Sequence, residues 1–197
     1  MKRSQKTKLK TTEKILIICE GQTEESYINQ LLKDFNLMTP NITIELASGG
    51  GYNNYKNYIE RNKALYSIIL VVCDLDRAAQ HSAEKISLKS LIKLLQKENL
   101  KNNIFLSNPE IEVWFAACVG VKVEGLNALR YEKGKTVSKF LRANGGDYKK
   151  ACKYFEGQDM YFEKRSFKRG IYKEKAITIP HSNLIYFIEY MEALIKI

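Results

Sequence analysis

The chain has 197 residues, 45% of them hydrophobic, a length that fits one domain or one core with an appended subdomain. Its longest apolar run, residues 66–73, is far shorter than the roughly 20 residues needed to cross a bilayer, so we expect a cytoplasmic protein. Its four cysteines lack the spacing of a zinc site, and we expect them to be reduced thiols. The net charge of +10 is uneven: residues 1–10 and 130–175 together carry +13, which predicts one region that holds cations and another that meets an anionic polymer.

The predicted elements alternate between strands and helices after a basic arm, residues 1–12, that we expect to be disordered. Continuous apolar runs predict buried strands at residues 14–19, 41–46, 67–73 and 103–106. Apolar residues at helical spacing predict helices at residues 23–35, 52–65, 82–99 and 107–118. Because strands that alternate with helices form parallel sheets covered on both sides, residues 13–120 are predicted to form an α/β core.

The connections and the carboxyl-terminal part complete this prediction. Thr23 is expected to cap the first helix, with Glu24 in its first turn. Gly49–Gly51 is expected to be a mobile loop, because a glycine triplet without the lysine of a phosphate-binding loop is weak evidence for phosphate contact. No strand is predicted in residues 121–197, which we expect to form a helical, basic extension that packs on the core and ends in an amphipathic helix at residues 182–195.

Carboxylates follow two of the most apolar predicted strands. Glu20 comes directly after the first strand, and Asp74 and Asp76 follow the third. The carboxyl ends of parallel strands lie at one edge of a sheet, and alternate residues of an extended chain face the same side. Because magnesium prefers oxygen ligands, the pattern predicts a magnesium site, although a lone pair of alternating aspartates is common on protein surfaces.

Three motifs resemble the RloB-like proteins of bacterial restriction and anti-phage loci. Residues 20–24 (EGQTE) resemble the family's EGxTE motif, residues 74–76 (DLD) its DxD motif, and residues 107–114 (SNPEIEVW) its SNPxFExW motif. The order and spacing of the motifs agree over residues 14–118, and the likeness is weak after that point.

The resemblance implies a Toprim-like fold, in which a strand-end Glu and a DxD assemble magnesium, or in some cases manganese, for phosphodiester chemistry. It implies that Glu20, Asp74 and Asp76 are metal ligands, and that these three and Glu112 are catalytic. It also implies an AAA-type ATPase, encoded nearby, as a partner. The chain departs from the family at Cys118, where a His is expected, which puts a proton-transfer role at that position in doubt.

Several residues of these motifs also have a structural interpretation. Glu24 can reach the metal or simply match the helix dipole, and Arg77 can pair with the aspartates, contact a phosphate or be solvated. Trp114 is expected in the core. Glu110 and Glu112 are two residues apart, so only one of them can face the site from a helix, and Glu112 is chosen because it matches the motif.

The basic residues from 130 to 175 alternate with aromatic residues. Lys and Arg side chains bind a phosphate backbone, although basic runs also serve to keep proteins soluble. Exposed aromatic rings stack on bases, but most of these rings are expected to form a subdomain core. Contact with DNA or RNA is therefore assigned to the charges alone. The residues selected for this role are Lys164, Arg165, Lys168 and Arg169.

Three hypotheses for the function follow. The first is a magnesium-dependent nuclease that cleaves nucleic-acid phosphodiesters in anti-phage or restriction-linked defence. The second is a nucleic-acid-binding or regulatory partner of an ATPase, without activity of its own. The third is a small-molecule phosphatase with Asp74 as nucleophile, which is disfavoured because Ala78 stands where such enzymes usually carry Thr or Val.

Overall fold

The computed structural model describes residues 13–47, 49–99, 102–118 and 181–195. Its strands are β1 (Ile15–Cys19), β2 (Ile42–Leu46), β3 (Ile68–Asp74), β4 (Asn103–Asn108) and β5 (His181–Ser182). Its helices are α1 (Gln22–Asp34), α2 (Tyr52–Asn62), α3 (Asp76–Gln80), α4 (Ser82–Glu98), α5 (Glu112–Cys118) and α6 (Phe187–Ile195), with a 3-10 turn at Asn183–Tyr186.

The strands form one sheet in the order β2-β1-β3-β4-β5. Strands β1 to β4 run parallel, and β5 pairs antiparallel with the end of β4. Parallel strands with both faces covered are expected to be apolar throughout, and every residue of the interior strand β1 is buried. The predicted α/β fold, a Toprim-like parallel-sheet core flanked by helices, is thus confirmed for the described residues.

Two apolar clusters cover the two faces of the sheet. Ile15 and Ile17 point into a cluster with α1, α5 and α6, whereas Leu16 and Ile18 point into a second cluster with α2 and α4. Trp114 is fully buried in the first cluster, where its indole N–H donates to the Tyr27 hydroxyl (2.6 Å). The prediction that Trp114 belongs to the core is confirmed. Because both faces are packed, the strand ends are held rigidly.

The start of α1 differs from the prediction. Gly21, not Thr23, is the N-cap, and Thr23 lies inside the first turn. The reason is that the Glu24 side chain turns back and accepts the Gly21 N–H (2.8 Å), so a carboxylate inside the helix does the capping and no Thr hydroxyl is needed.

The segments around β4 also differ from the prediction. β4 continues to Asn108, and α5 begins only at Glu112. The expectation of no strand beyond residue 120 is wrong, because β5 pairs with β4. The Asn183 side chain then bonds two backbone groups of β4, and the terminal α-helix begins at Phe187 rather than at residue 182. A side chain that replaces a strand partner leaves no periodic signal in the sequence.

Part of the predicted organisation lies outside the described residues. This holds for the basic arm at residues 1–12, for the last two residues of the predicted core and residues 121–180 of the extension, and for the basic positions Lys164, Arg165, Lys168 and Arg169. In the part of the chain that the structure covers, no helix combines the length and the apolar character that a membrane crossing requires.

Candidate metal and catalytic site

Glu20 follows β1 directly and is held against the end of β3. Its backbone N–H donates to the Val72 carbonyl (3.1 Å), and its Oε2 accepts from the Asp74 N–H (3.0 Å). Burial raises the pKa of the Glu20 carboxyl, the hydrogen bond from Asp74 opposes this shift, and the nearby charge of Asp76 raises the pKa further. The ends of two neighbouring strands therefore bring Glu20 and Asp74 together.

Asp74 is the last residue of β3. Its carbonyl oxygen accepts from the Tyr52 hydroxyl (2.7 Å), whereas its side-chain Oδ1 is buried and has no hydrogen-bond partner among the described residues. Burial raises the pKa of the Asp74 carboxyl well above its ordinary value, and the neighbouring carboxylates raise it further, with Glu24 and Glu20 first among them. Asp74 is thus the least satisfied acidic group of this edge.

Asp76 does not continue the extended chain of β3. Leu75 has helical backbone angles (φ −101°, ψ −3°) and Asp76 begins α3, so the expectation that Asp74 and Asp76 alternate along an extended chain is wrong. The Pro109 carbonyl accepts the N–H groups of both Leu75 (3.1 Å) and Asp76 (3.0 Å). The turn after β4 therefore fixes the turn after β3, and Asp76 Oδ1 accepts the N–H of Arg77.

Glu24 and Glu112 form the buried side of the same group. Glu24 is 6% exposed and Glu112, the first residue of α5, is 7% exposed, whereas Glu110 precedes α5 and is only partly buried. Glu112 is thus more buried than Glu110, and its role in the site stays a prediction. Burial raises the pKa of the Glu24 carboxyl, hydrogen bonds from its own N–H and that of Gly21 lower it, and the charges of Glu20 and Glu112 raise it. Glu24 is therefore part of the site electrostatically as well as a capping residue.

The name acidic edge is used below for these five carboxylates. They are Glu20, Glu24, Asp74, Asp76 and Glu112. Arg77 lies beside them, with its Nε 3.9 Å from Glu20 Oε1 and a side chain that is 44% exposed. An exposed guanidinium at that distance offsets little of the buried negative charge.

Two tyrosines of α2 line the acidic edge and were not selected from the sequence. Tyr52 and Tyr55 are both buried, at 2% and 1% exposure, and pack in the cluster between α2, α4 and the sheet. Burial raises the pKa of both hydroxyls, so they remain protonated donors. The sequence did contain a pattern that could have indicated them. Tyr52 follows the glycine triplet directly, and a spacing of three residues places the rings of Tyr52 and Tyr55 on one helix face.

The glycine triplet leads into α2, and its contacts involve a carboxylate. Gly51 is the N-cap of α2, and Glu84 Oε2 of α4 accepts the Tyr52 N–H (3.1 Å). A Cβ at Gly51 would overlap the Glu84 carboxylate, so glycine is required for this close approach. The amino end of α2 is therefore already occupied by an anionic group of the protein itself.

The residues of the acidic edge supply the oxygen ligands that magnesium prefers, but they do not form a closed cage. Among the residues that the structure describes, no three His, Cys, Asp or Glu side chains stand in an arrangement that could hold a metal ion. Magnesium commonly uses only one or two carboxylates and completes its octahedron with water and phosphate. The buried, unpartnered Oδ1 of Asp74 is an oxygen ligand of the required kind. A site shared by Glu20, Asp74 and Asp76 stays a prediction.

A family model for RloB-like proteins matches residues 15–186. The chain belongs to the RloB-like protein family. The match runs from β1 into the 3-10 turn before α6, so it extends well past residue 118, where the likeness of the motifs ends. No curated protein and no solved structure matches the chain.

The family's motifs acquire separate physical roles in the structure. Residues 20–24 supply a strand-end carboxylate and the cap of α1, and residues 107–109 supply the turn that holds Leu75 and Asp76. Cys118, at the position where a His was expected, is buried in the apolar cluster around α5.

Proposed function

We propose that this RloB-like protein is a magnesium-dependent nuclease that cleaves nucleic-acid phosphodiesters, in anti-phage or restriction-linked defence. The observation that carries the proposal is the acidic edge, in which Asp74 Oδ1 is buried without a partner among the described residues and is surrounded by other carboxylates. Such a group is unfavourable unless a cation neutralises it. Family membership and the net charge of +10 support a polyanionic substrate.

In this proposal Asp74, Asp76 and Glu20 would hold the metal, which is Mg²⁺ or Mn²⁺. The metal would supply the positive charge that neutralises a phosphodiester under attack by water. Burial raises the pKa of the Glu20 carboxyl, and the Asp74 N–H fixes one of its oxygens, so Glu20 is suited to act as a general acid or base. Glu112 closes the buried side of the acidic edge and is the fourth catalytic candidate.

A second candidate function is a nucleic-acid-binding or regulatory partner of an AAA-type ATPase. The observation that favours it is the lack, within the described segments, of three ligands already arranged for a metal. A site of this kind either gains its metal together with substrate phosphate or is completed by a partner protein. The two functions differ in whether the purified chain cleaves nucleic acid.

The deciding experiment is a cleavage assay with the purified protein, alone and together with any AAA-type ATPase that is encoded nearby. Single- and double-stranded DNA and RNA are tested with Mg²⁺, with Mn²⁺ and with a chelator, and a small phosphate ester tests the phosphatase hypothesis. The nuclease proposal expects metal-dependent cleavage that Asp74→Asn abolishes. Binding without cleavage in every combination would support the regulatory function instead.

The basic cluster is tested by the salt dependence of binding. Contact with Z phosphates gives a slope of log affinity against log salt of about −0.9Z for duplex DNA and about −0.7Z for single strands. Changing Lys164, Arg165, Lys168 and Arg169 together to Gln should weaken binding and flatten this slope. The titration is made in calcium, so that cleavage does not interfere. An unchanged slope would assign the cluster to a solvated surface.

A further inference from the structure

The Tyr55 side chain combines three properties that a purely structural tyrosine rarely shows together. It is 1% exposed, its hydroxyl has no hydrogen-bond partner within the described segments, and that hydroxyl lies beside the acidic edge. Buried polar groups are almost always hydrogen-bonded, because an unmade bond costs stability. An unpartnered hydroxyl at a binding edge is therefore best explained by a bond that forms only in the bound state.

Tyr52, three residues earlier on α2, provides the internal comparison. Its hydroxyl donates to the Asp74 carbonyl oxygen (2.7 Å) and so fastens α2 to the end of β3. The Tyr55 ring packs in the same cluster, but its hydroxyl is not used in this way. Packing of the Tyr55 ring explains why the side chain is buried. It does not explain why the hydroxyl is buried without a hydrogen bond.

Among the carboxylates of the acidic edge, Glu20 has the largest electrostatic effect on the Tyr55 hydroxyl. Tyr55 helps to lower the pKa of the Glu20 carboxyl, although the two groups do not meet the distance and angle of a hydrogen bond. Glu20 is fixed at one oxygen only, since Oε2 accepts from the Asp74 N–H (3.0 Å) while Oε1 lies 3.9 Å from Arg77 Nε. The carboxylate of Glu20 therefore keeps the capacity to accept a further hydrogen bond.

We propose that Tyr55 is a positioning residue for Glu20, and that its hydroxyl donates a hydrogen bond to the Glu20 carboxylate when a divalent cation occupies the acidic edge. This inference rests on the proposed metal-dependent function and adds a residue that acts through Glu20. Residues that orient a metal ligand typically change metal affinity by about 10- to 100-fold when they are removed. Because burial raises the pKa of Tyr55, the hydroxyl is available as a donor throughout the neutral range.

The test compares Tyr55→Phe with two matched variants of the same helix, Tyr52→Phe and Tyr58→Phe. Tyr58 is partly buried against the same apolar cluster and lies one turn further from the amino end of α2. Mn²⁺ affinity is measured by calorimetry on the full-length protein without substrate, and thermal unfolding is measured without metal. We expect Tyr55→Phe to weaken Mn²⁺ binding by about 10- to 100-fold. We expect its unfolding temperature to be unchanged or higher, because an unsatisfied hydroxyl is removed.

The control variants should show the opposite pattern. Tyr52→Phe should lower the unfolding temperature, since it removes a formed hydrogen bond, and Tyr58→Phe should leave Mn²⁺ affinity unchanged. Wild-type Mn²⁺ affinity in Tyr55→Phe would overturn this inference alone, and so would an unfolding temperature as low as that of Tyr52→Phe. A wild-type protein that binds no divalent cation would overturn the inference together with the proposed metal dependence.

Discussion

The two ends of α2 differ in how they balance charge. α2 packs against α4, and each end of α2 is tied to α4 by one glutamate: Glu84 at the amino end and Glu98 at the carboxyl end. At the carboxyl end, Lys63 lies between Glu60 (2.8 Å) and Glu98 (3.2 Å) in an exposed group of opposite charges. At the amino end, α2 lies beside the acidic edge, and Arg77 is the cation that the structure places next to Glu20.

The carboxyl end of α2 is thus an ordinary charged surface, whereas the amino end lies at the proposed binding site. Exposed ion pairs such as that of Lys63 contribute little to stability and tolerate change. Buried carboxylates that repel one another reduce stability, and proteins retain such groups where function needs them. The amino end of α2 is therefore where substitutions should affect activity and stability in opposite directions.

The largest effect is expected for Asp74→Asn. The substitution keeps the shape of the side chain and removes a metal-binding charge, so cleavage should be abolished, a loss beyond the roughly 10- to 100-fold seen for residues that merely support metal ligands. The metal-free protein should become more stable, by about 1 kcal/mol, because one of several mutually repelling carboxylates is neutralised. Nuclease assays and chemical denaturation measure the two effects.

The matched control is Glu98→Gln, which also replaces a carboxylate by an amide, but at the carboxyl end of α2, where Glu98 pairs with Lys63. It removes one partner of Lys63, and we expect full cleavage activity and no gain in stability. Equal effects of the two substitutions on stability would mean that the carboxylates at the two ends of α2 do not differ in the way described above.

The sequence was sufficient to locate the acidic edge but not its detailed geometry. Glu20 and Asp74 were predictable because each follows a continuous apolar run, and parallel strands end at one edge. Asp76 was placed wrongly, because the helical backbone of Leu75 depends on hydrogen bonds to the distant Pro109 carbonyl. Contacts between residues far apart in the chain leave no local pattern.

Tyr55 and β5 were missed for related reasons. A tyrosine at helical spacing is ordinarily a core residue, and the ring of Tyr55 is one; only the unpartnered oxygen, which is visible in three dimensions, indicates more. β5 is two residues long and depends on pairing with β4, so it is too short for any periodicity.

The second prediction concerns pH. The carboxyl pKa values of Glu20, Glu24 and Asp74 are raised in the folded protein, so the folded state binds these protons more readily than the unfolded state. Their contribution to stability is complete below the unfolded pKa of about 4 and is lost as pH rises through the folded values. The stability advantage of metal-free Asp74→Asn over the wild type should therefore grow from about pH 5 to about pH 8.

Equilibrium denaturation with a chelator at both pH values measures this advantage. Saturating Mg²⁺ should stabilise the wild type at the higher pH, because a bound cation offsets the repulsion between the carboxylates. The stability advantage of Asp74→Asn should therefore become smaller. Parallel pH profiles for the two proteins would show that Asp74 is not a strained carboxyl.

The smallest effect is expected at the amino end of α2 itself, for Gly51→Ala. The backbone of Gly51 (φ −77°, ψ −174°) suits any residue, so alanine should gain about 0.4–1 kcal/mol from the reduced freedom of the unfolded chain. The new Cβ would overlap the Glu84 carboxylate, which lies at the end of a flexible side chain and would move off the Tyr52 N–H. Loss of that cap costs about 1 kcal/mol, so the net change in the wild type should be a slight destabilisation.

The destabilisation should disappear once Glu84 is shortened. In a Glu84→Ala background the cap is already lost and the space beside Gly51 is open, so the gain from the unfolded chain offsets the poorer N-cap propensity of alanine, and Gly51→Ala should be close to neutral. Urea denaturation of the two single variants, the double variant and the wild type measures this coupling. Equal effects of Gly51→Ala in the two backgrounds would mean that Glu84 does not occupy the amino end of α2 in solution, and that this end is open to another anionic group.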